Sequence, residues 1–186
     1  MSIPRTPSQT VGPYLALGLP WTDGPDVVPE GSARAIVIRG QVLDGAGEPV
    51  PDALIETWQA DPDGRFVGAP AVAEGRSGGF RGFGRCPTDE HGGYWIRTCK
   101  PGVVDASDGR PQAPHIDVSV FARGILTRLV TRVYFEDEVE ANAIDPVLLS
   151  IAEPADRARL CATKTDDGYR FDIHLQGSAE TPFFDV

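Results

Sequence analysis

Between Ala33 and Gln176 no apolar run goes far before Gly, Pro or Asp interrupts it, and that spacing decides the fold class. Ala35-Ile-Val-Ile-Arg-Gly-Gln-Val-Leu43 is rich in β-branched residues and stops at Asp44-Gly45-Ala46-Gly47. Such a turn tolerates the left-handed backbone. Leu54-Ile-Glu-Thr-Trp-Gln-Ala60 ends at Asp61-Pro62-Asp63-Gly64, and Tyr94-Trp-Ile-Arg-Thr-Cys99 lies between Thr88-Asp-Glu-His-Gly-Gly93 and Lys100-Pro-Gly102. Tyr169-Arg-Phe-Asp-Ile-His-Leu-Gln176 alternates, with Tyr169, Phe171, Ile173 and Leu175 on one face. Helical candidates are confined to 139–159, where Pro146 and Pro154 limit them to short pieces, the second running to about Leu160. Short strands without helical crossovers predict an all-β chain: an antiparallel β-sandwich with a few short helices.

Residues 1–34 follow no strand or helix period. Thr10-Val-Gly-Pro-Tyr14, Pro20-Trp21, Gly24-Pro25 and Pro29-Glu-Gly31 predict an extended N-terminal arm, not a helix. An arm carrying Tyr14 and Trp21 but no core of its own must lie on something, either this domain or a partner. The expected division is an interface arm, 1–34, and one sandwich domain, 35–186. The Gly-rich stretch 68–84 is too long for a hairpin connection and reads as a functional or interface loop.

A net charge of −10 repels nucleic acid and anionic membranes, so neither is expected as a partner. Three Cys, at 86, 99 and 161, give no disulfide framework and no zinc spacing. With no apolar segment of signal-peptide or membrane-spanning length, the expected location is the cytoplasm.

Candidate chemistry gathers at Gln112-Ala-Pro-His-Ile-Asp-Val-Ser-Val-Phe-Ala-Arg-Gly124 and the following run to Phe135. Two strand-like segments meet at Arg123-Gly124. His115 and Asp117 lie two apart on a strand and point the same way, as two ligands of one metal would. With His174 they reproduce the residue order of the facial triad in 2-oxoglutarate-dependent iron oxygenases. That reading lacks the basic residue those enzymes place after the distal His, since 175–186 contain no Lys or Arg. Strand parity also sets His174 outward. No Gly-X-Ser-X-Gly elbow or phosphate-binding loop is present, and no Cys sits in an activating context. The residues themselves yield no complete catalytic constellation.

Read together, Thr6-Pro-Ser-Gln-Thr-Val-Gly-Pro-Tyr14, Gly40-Gln-Val-Leu-Asp-Gly45, Trp58-Gln-Ala-Asp61, Phe83-Gly-Arg85, Thr98-Cys-Lys-Pro-Gly102, Ala113-Pro-His-Ile116, Phe121-Ala-Arg-Gly124, Phe171-Asp-Ile173 and Glu180-Thr-Pro-Phe-Phe-Asp185 resemble the intradiol ring-cleaving dioxygenase family. The resemblance implies a β-sandwich and, in catalytic subunits, a ferric iron held by two Tyr and two His. There the two His come from an Arg-Pro-Ala-His-Ile-His strand, where this chain has Gln112-Ala-Pro-His-Ile-Asp117. His115 stands at one ligand position and Asp117 replaces the other, a degenerate pair. Val104 stands at one tyrosinate position and roughly Val72 at the other. Without tyrosinate oxygens the pair is expected to hold no Fe(III).

The resemblance therefore implies a non-catalytic alpha partner, inactive alone, paired with an iron-bearing beta subunit. Thr10, Gly12, Pro13, Tyr14 and Arg123 match residues that line the beta subunit's cleft for an aromatic carboxylate substrate, 3,4-dihydroxybenzoate, which is opened with O2. Arg123 is suited to the substrate carboxylate, and equally to an ion pair with a partner's acid. Tyr14 equally suits an interface pocket. A stand-alone, transthyretin-like sandwich binding module is the alternative from a different class.

Overall fold

The computed structural model describes residues 6–12, 14–68 and 79–185. Eleven strands occur among them: β1 (Ala35–Leu43), β2 (Leu54–Trp58), β3 (Phe83–Pro87), β4 (Gly93–Cys99), β5 (Val104–Asp105), β6 (Pro111–Gln112), β7 (Ile116–Phe121), β8 (Leu129–Phe135), β9 (Cys161–Thr165), β10 (Gly168–Arg170) and β11 (Ile173–His174). β3-β2-β7-β8 forms an antiparallel layer. β4-β1-β10-β9 forms the facing one, with β11 extending β10 along β1. Ile55, Ile116, Val118, Val120 and Val133 of the first layer share one buried cluster with Ile38, Val42, Ile96, Tyr169 and Ile173 of the second. That shared core makes the all-β sandwich.

The layers are not purely antiparallel. β10 and β11 run parallel to β1, and β8 runs parallel to β9, joining the two layers into one path. The alternating run 169–176 keeps Tyr169, Phe171 and Ile173 buried but is divided into β10 and β11. At the break the Phe171 carbonyl turns over Gly40 to accept from the Tyr94 hydroxyl at 2.6 Å. A Cβ on Gly40 would overlap that carbonyl and lie 2.9 Å from the Tyr94 ring. Asp172 fills the gap in the ladder by accepting the Gln41 N–H at 2.9 Å.

Three Asp-X-X-Gly turns are built alike. Asp44, Asp61 and Asp89 each accept two backbone N–H groups through Oδ1, from the second and fourth residues onward, at 2.8–2.9 Å. Gly47, Gly64 and Gly92 take the positive φ that each turn needs, at 82°, 77° and 71°.

The arm departs from its expected form at Tyr14–Gly18, which makes one helical turn, α1. Tyr14-Leu-Ala-Leu-Gly-Leu19 lies between prolines and is itself free of them, so the intervening residues can close a turn. Beyond it the arm packs on its own domain. Trp21 stacks on Phe83, Arg85 donates to the Leu19 carbonyl at 2.9 Å, and Val27 and Val28 enter the shared core. Three further short helices, α2 (Val139–Asn142), α3 (Pro146–Ser150) and α4 (Pro154–Arg159), lie in the segment expected to hold them. No helix among the described residues is long and apolar enough to cross a membrane. Most of the Gly-rich stretch, including Val72, lies outside the described residues.

Candidate functional site

On the outer face of the β2-β7-β8 layer, side chains align in rows fixed by the strand register. Trp58 is opposite Asp117, and Asp117 is opposite Arg132. Arg132 Nε donates to Asp117 Oδ1 at 2.8 Å, and Nη1 donates to Gln112 Oε1 at 2.7 Å and to the Tyr134 hydroxyl at 3.4 Å. Burial alone would lower the Arg132 pKa, but the Asp117 carboxylate and the Tyr134 hydroxyl raise it overall, so the guanidinium stays charged. A fixed cation thus lies against the residues expected to form a degenerate ligand pair.

His115 is buried just before β7. Its Nδ1–H donates to the Ala113 carbonyl at 2.7 Å, and its ring tilts against Tyr134 with centroids 5.7 Å apart. Burial, then the Arg132 charge, lowers its pKa, leaving the imidazole neutral at pH 7. Burial pushes the Tyr134 phenol well above its ordinary range. It donates to Asp145 at 3.2 Å and is no tyrosinate. Val104, at one expected tyrosinate position, pairs with Gln112 in the β5-β6 ribbon. Tested as a donor set for ferric iron, these residues do not fit: Asp117 is bound to a guanidinium, the phenol is protonated, and a metal ion would stand against Arg132. Among the described residues no cluster of three or more His, Cys, Asp or Glu can hold a metal. His174 lies on β11 in the other layer, so the facial-triad grouping does not form.

Asp145 escaped the sequence reading. It is fully buried and caps α3, accepting from Val147 and Leu148 N–H through Oδ1 and from Ala113 N–H through Oδ2, each at 2.8 Å. Its signal was an Asp directly before Pro146 at the first helical position. Arg132 was also missed, because its partnership with Asp117 depends on the β7-β8 register.

At the other end of the same hairpin, Thr10, Val11, Gly12, Leu15, Leu17, Asp52 and Arg123 line a groove of about 520 Å³. The Thr10 hydroxyl accepts the Gly124 N–H at 2.8 Å, tying the arm to the β7-β8 turn. Arg123 is 76% exposed and pairs with Asp52 of its own chain. Tyr14 is 81% exposed and lines an adjoining depression with Val11, Gly12, Leu15, Gly18 and Leu19. Pro13 lies outside the described residues. The structure therefore brings Thr10, Gly12, Tyr14 and Arg123 to one apolar edge, away from His115 and Asp117 in the chain's own remnant.

The family model described as Dioxygenase matches residues 23–177. The sequence is 43% identical to the protocatechuate 3,4-dioxygenase alpha chain of Pseudomonas putida, covering 98% of this chain and 97% of that protein. It is also 38% identical to the protocatechuate 3,4-dioxygenase beta chain of Burkholderia cepacia, over 79% of this chain and 66% of that one. Among solved structures, the dioxygenase domain of a carbohydrate-binding fusion from Streptomyces sp. SirexAA-E superimposes with a TM-score of 0.58 at 22% identity. The match covers 93% of this chain and 100% of that one, and shows the shared fold.

Proposed function

The chain belongs to the dioxygenase family, and from that membership we propose that it is the non-catalytic alpha subunit of protocatechuate 3,4-dioxygenase. In this reading a beta subunit carries the ferric iron used by the family. The two chains together open 3,4-dihydroxybenzoate with O2 between its hydroxylated carbons, giving 3-carboxy-cis,cis-muconate. The observation that carries the division of labour is the Arg132 guanidinium bonded to Asp117 and Gln112. A site already holding a fixed cation has no use for a second one.

What remains for this chain is to shape the partner's cleft. Residues 1–34 serve as the interface arm and the sandwich as its rigid support. Thr10 fixes the arm to Gly124, Tyr14 supplies an exposed aromatic wall, and Gly12 and Pro13 are assigned to the same cleft on the family resemblance. Arg123 offers an exposed guanidinium to the substrate carboxylate, with Asp52 holding its orientation. The cytoplasm is the proposed location, since the substrate and the partner would be met there.

The test is to purify the chain alone and together with a beta chain of this family. Alone it is expected to carry no stoichiometric ferric iron, no red-brown tyrosinate-to-iron absorption and no activity on 3,4-dihydroxybenzoate; the pair is expected to show all three. Stoichiometric ferric iron with that absorption in the isolated chain overturns the assignment.

A further inference from the structure

A second cavity, of about 510 Å³, opens on the outer face of the β3-β2-β7-β8 layer beside the Arg132 cluster, well within the range of small-ligand sites. Strand order polarises it. Phe83 on β3 and Trp58 on β2 form its aromatic side, while Arg132 on β8 and Arg128 just before β8 form its cationic side. Ser119, central on β7, lies between them with its hydroxyl 3.5 Å from an Arg128 nitrogen.

The charges in the cavity do not all cancel internally. Asp117 is committed to Arg132, and Glu56 takes Arg85 Nε at 2.7 Å. Arg128 has no carboxylate partner among the described residues, so one positive charge is left in the cavity wall beside the Ser119 hydroxyl, with Trp58 lining the same cavity. We propose that this cavity binds a flat aromatic monocarboxylate. Its ring lies along Trp58 and its carboxylate meets Arg128 and the Ser119 hydroxyl, with Arg132 behind. A lone guanidinium matches a monoanion, and the aromatic wall matches a planar apolar body. The site differs in place and residues from the arm groove around Arg123, and it needs neither iron nor a partner subunit.

The probe is benzoate, titrated calorimetrically into the full-length chain at low salt, with benzamide as its uncharged isostere. Saturable one-to-one benzoate binding is expected, with benzamide weaker by about tenfold or more. Arg128→Met and Trp58→Ala are each expected to weaken benzoate by about tenfold, and Arg128→Glu to abolish it. Arg123→Ala is expected to leave it unchanged. Circular dichroism checks that the variants fold, which an exposed position such as Arg128 allows. The proposal is overturned by absence of saturable binding, by equal binding of benzamide, by binding that survives Arg128→Glu, or by loss on Arg123→Ala. Such a failure leaves the subunit assignment standing, since iron content and ring cleavage test that separately.

Discussion

Arg132 Nε lies 2.8 Å from Asp117 Oδ1, directly across the β7-β8 ladder, and the pair occupies the place where the family resemblance sets a metal ligand. A half-buried guanidinium here does the electrostatic work of an internal cation without being a Lewis acid. It draws together Gln112, Asp117 and the Tyr134 hydroxyl, side chains that would otherwise present oxygens to one another.

Removing that cation exposes the cost of the arrangement. Arg132→Gln is expected to lower unfolding stability by about 1–3 kcal/mol, because Asp117 and Gln112 lose a charged donor. Adding Asp117→Asn should recover part of the loss in urea titrations. Full additivity of the two changes would show that the pair is not coupled.

Restoring a histidine at the second ligand position does not restore a metal site. Asp117→His leaves Arg132 facing an imidazole and supplies no phenolate. The variant is expected to bind no stoichiometric ferric iron by elemental analysis and to be less stable than the parent.

Asp145→Ala removes the acceptor for three backbone N–H groups and for the Tyr134 hydroxyl in a fully buried place. A loss of about 2–4 kcal/mol is expected, with Asp145→Asn costing less because one oxygen still caps α3. Equal destabilisation by both changes, read by thermal or denaturant unfolding, would contradict this account.

Acid sensitivity follows from Asp137. Burial alone would raise its carboxyl, yet hydrogen bonds from Lys100, Tyr169 and Lys164 bring it down to about 2 from an ordinary 3.8. A carboxyl depressed in the folded state adds stability that is full above its unfolded pKa and lost as pH falls through the folded one. Thermal midpoints should therefore fall between about pH 4 and pH 2. Asp137→Asn should flatten that limb, and an unchanged slope would assign it to other carboxylates.

In the reconstituted complex, Arg123→Ala is expected to raise KM for the carboxylated catechol by about tenfold, with a smaller effect on catechol itself. Equal effects on both substrates would remove the carboxylate from Arg123's role.

Strands β1, β2, β4, β7 and β8 were legible because their residues carry the information locally, whereas β3, β5, β6 and β9 have no such run of their own. Ala35–Leu43 was bounded on both sides by turn chemistry, and its structural limits coincide with those read from the residues. Parallel pairing was not legible, because nothing within 169–176 states which way its neighbour runs. The prolines around Tyr14–Gly18 predict an extended segment, but the helix-compatible residues between them close a helical turn. At the remnant, residue identities showed a missing donor set, while the cation in its place became visible only through a cross-strand partner 15 residues away. The nearness of Thr10 to Gly124 likewise spans 114 residues and leaves no local trace.

The parallel ladder along β1 has a bearing on how the chain is made. Gln41 and Asp172 meet across 131 residues, so one side of β1 has no strand to pair with until residues 168–174 have been synthesised. During that interval β4 can zip onto the opposite side while an apolar edge stays open to other chains. Residues 168–174 must therefore emerge from the ribosome before that side of β1 can be covered.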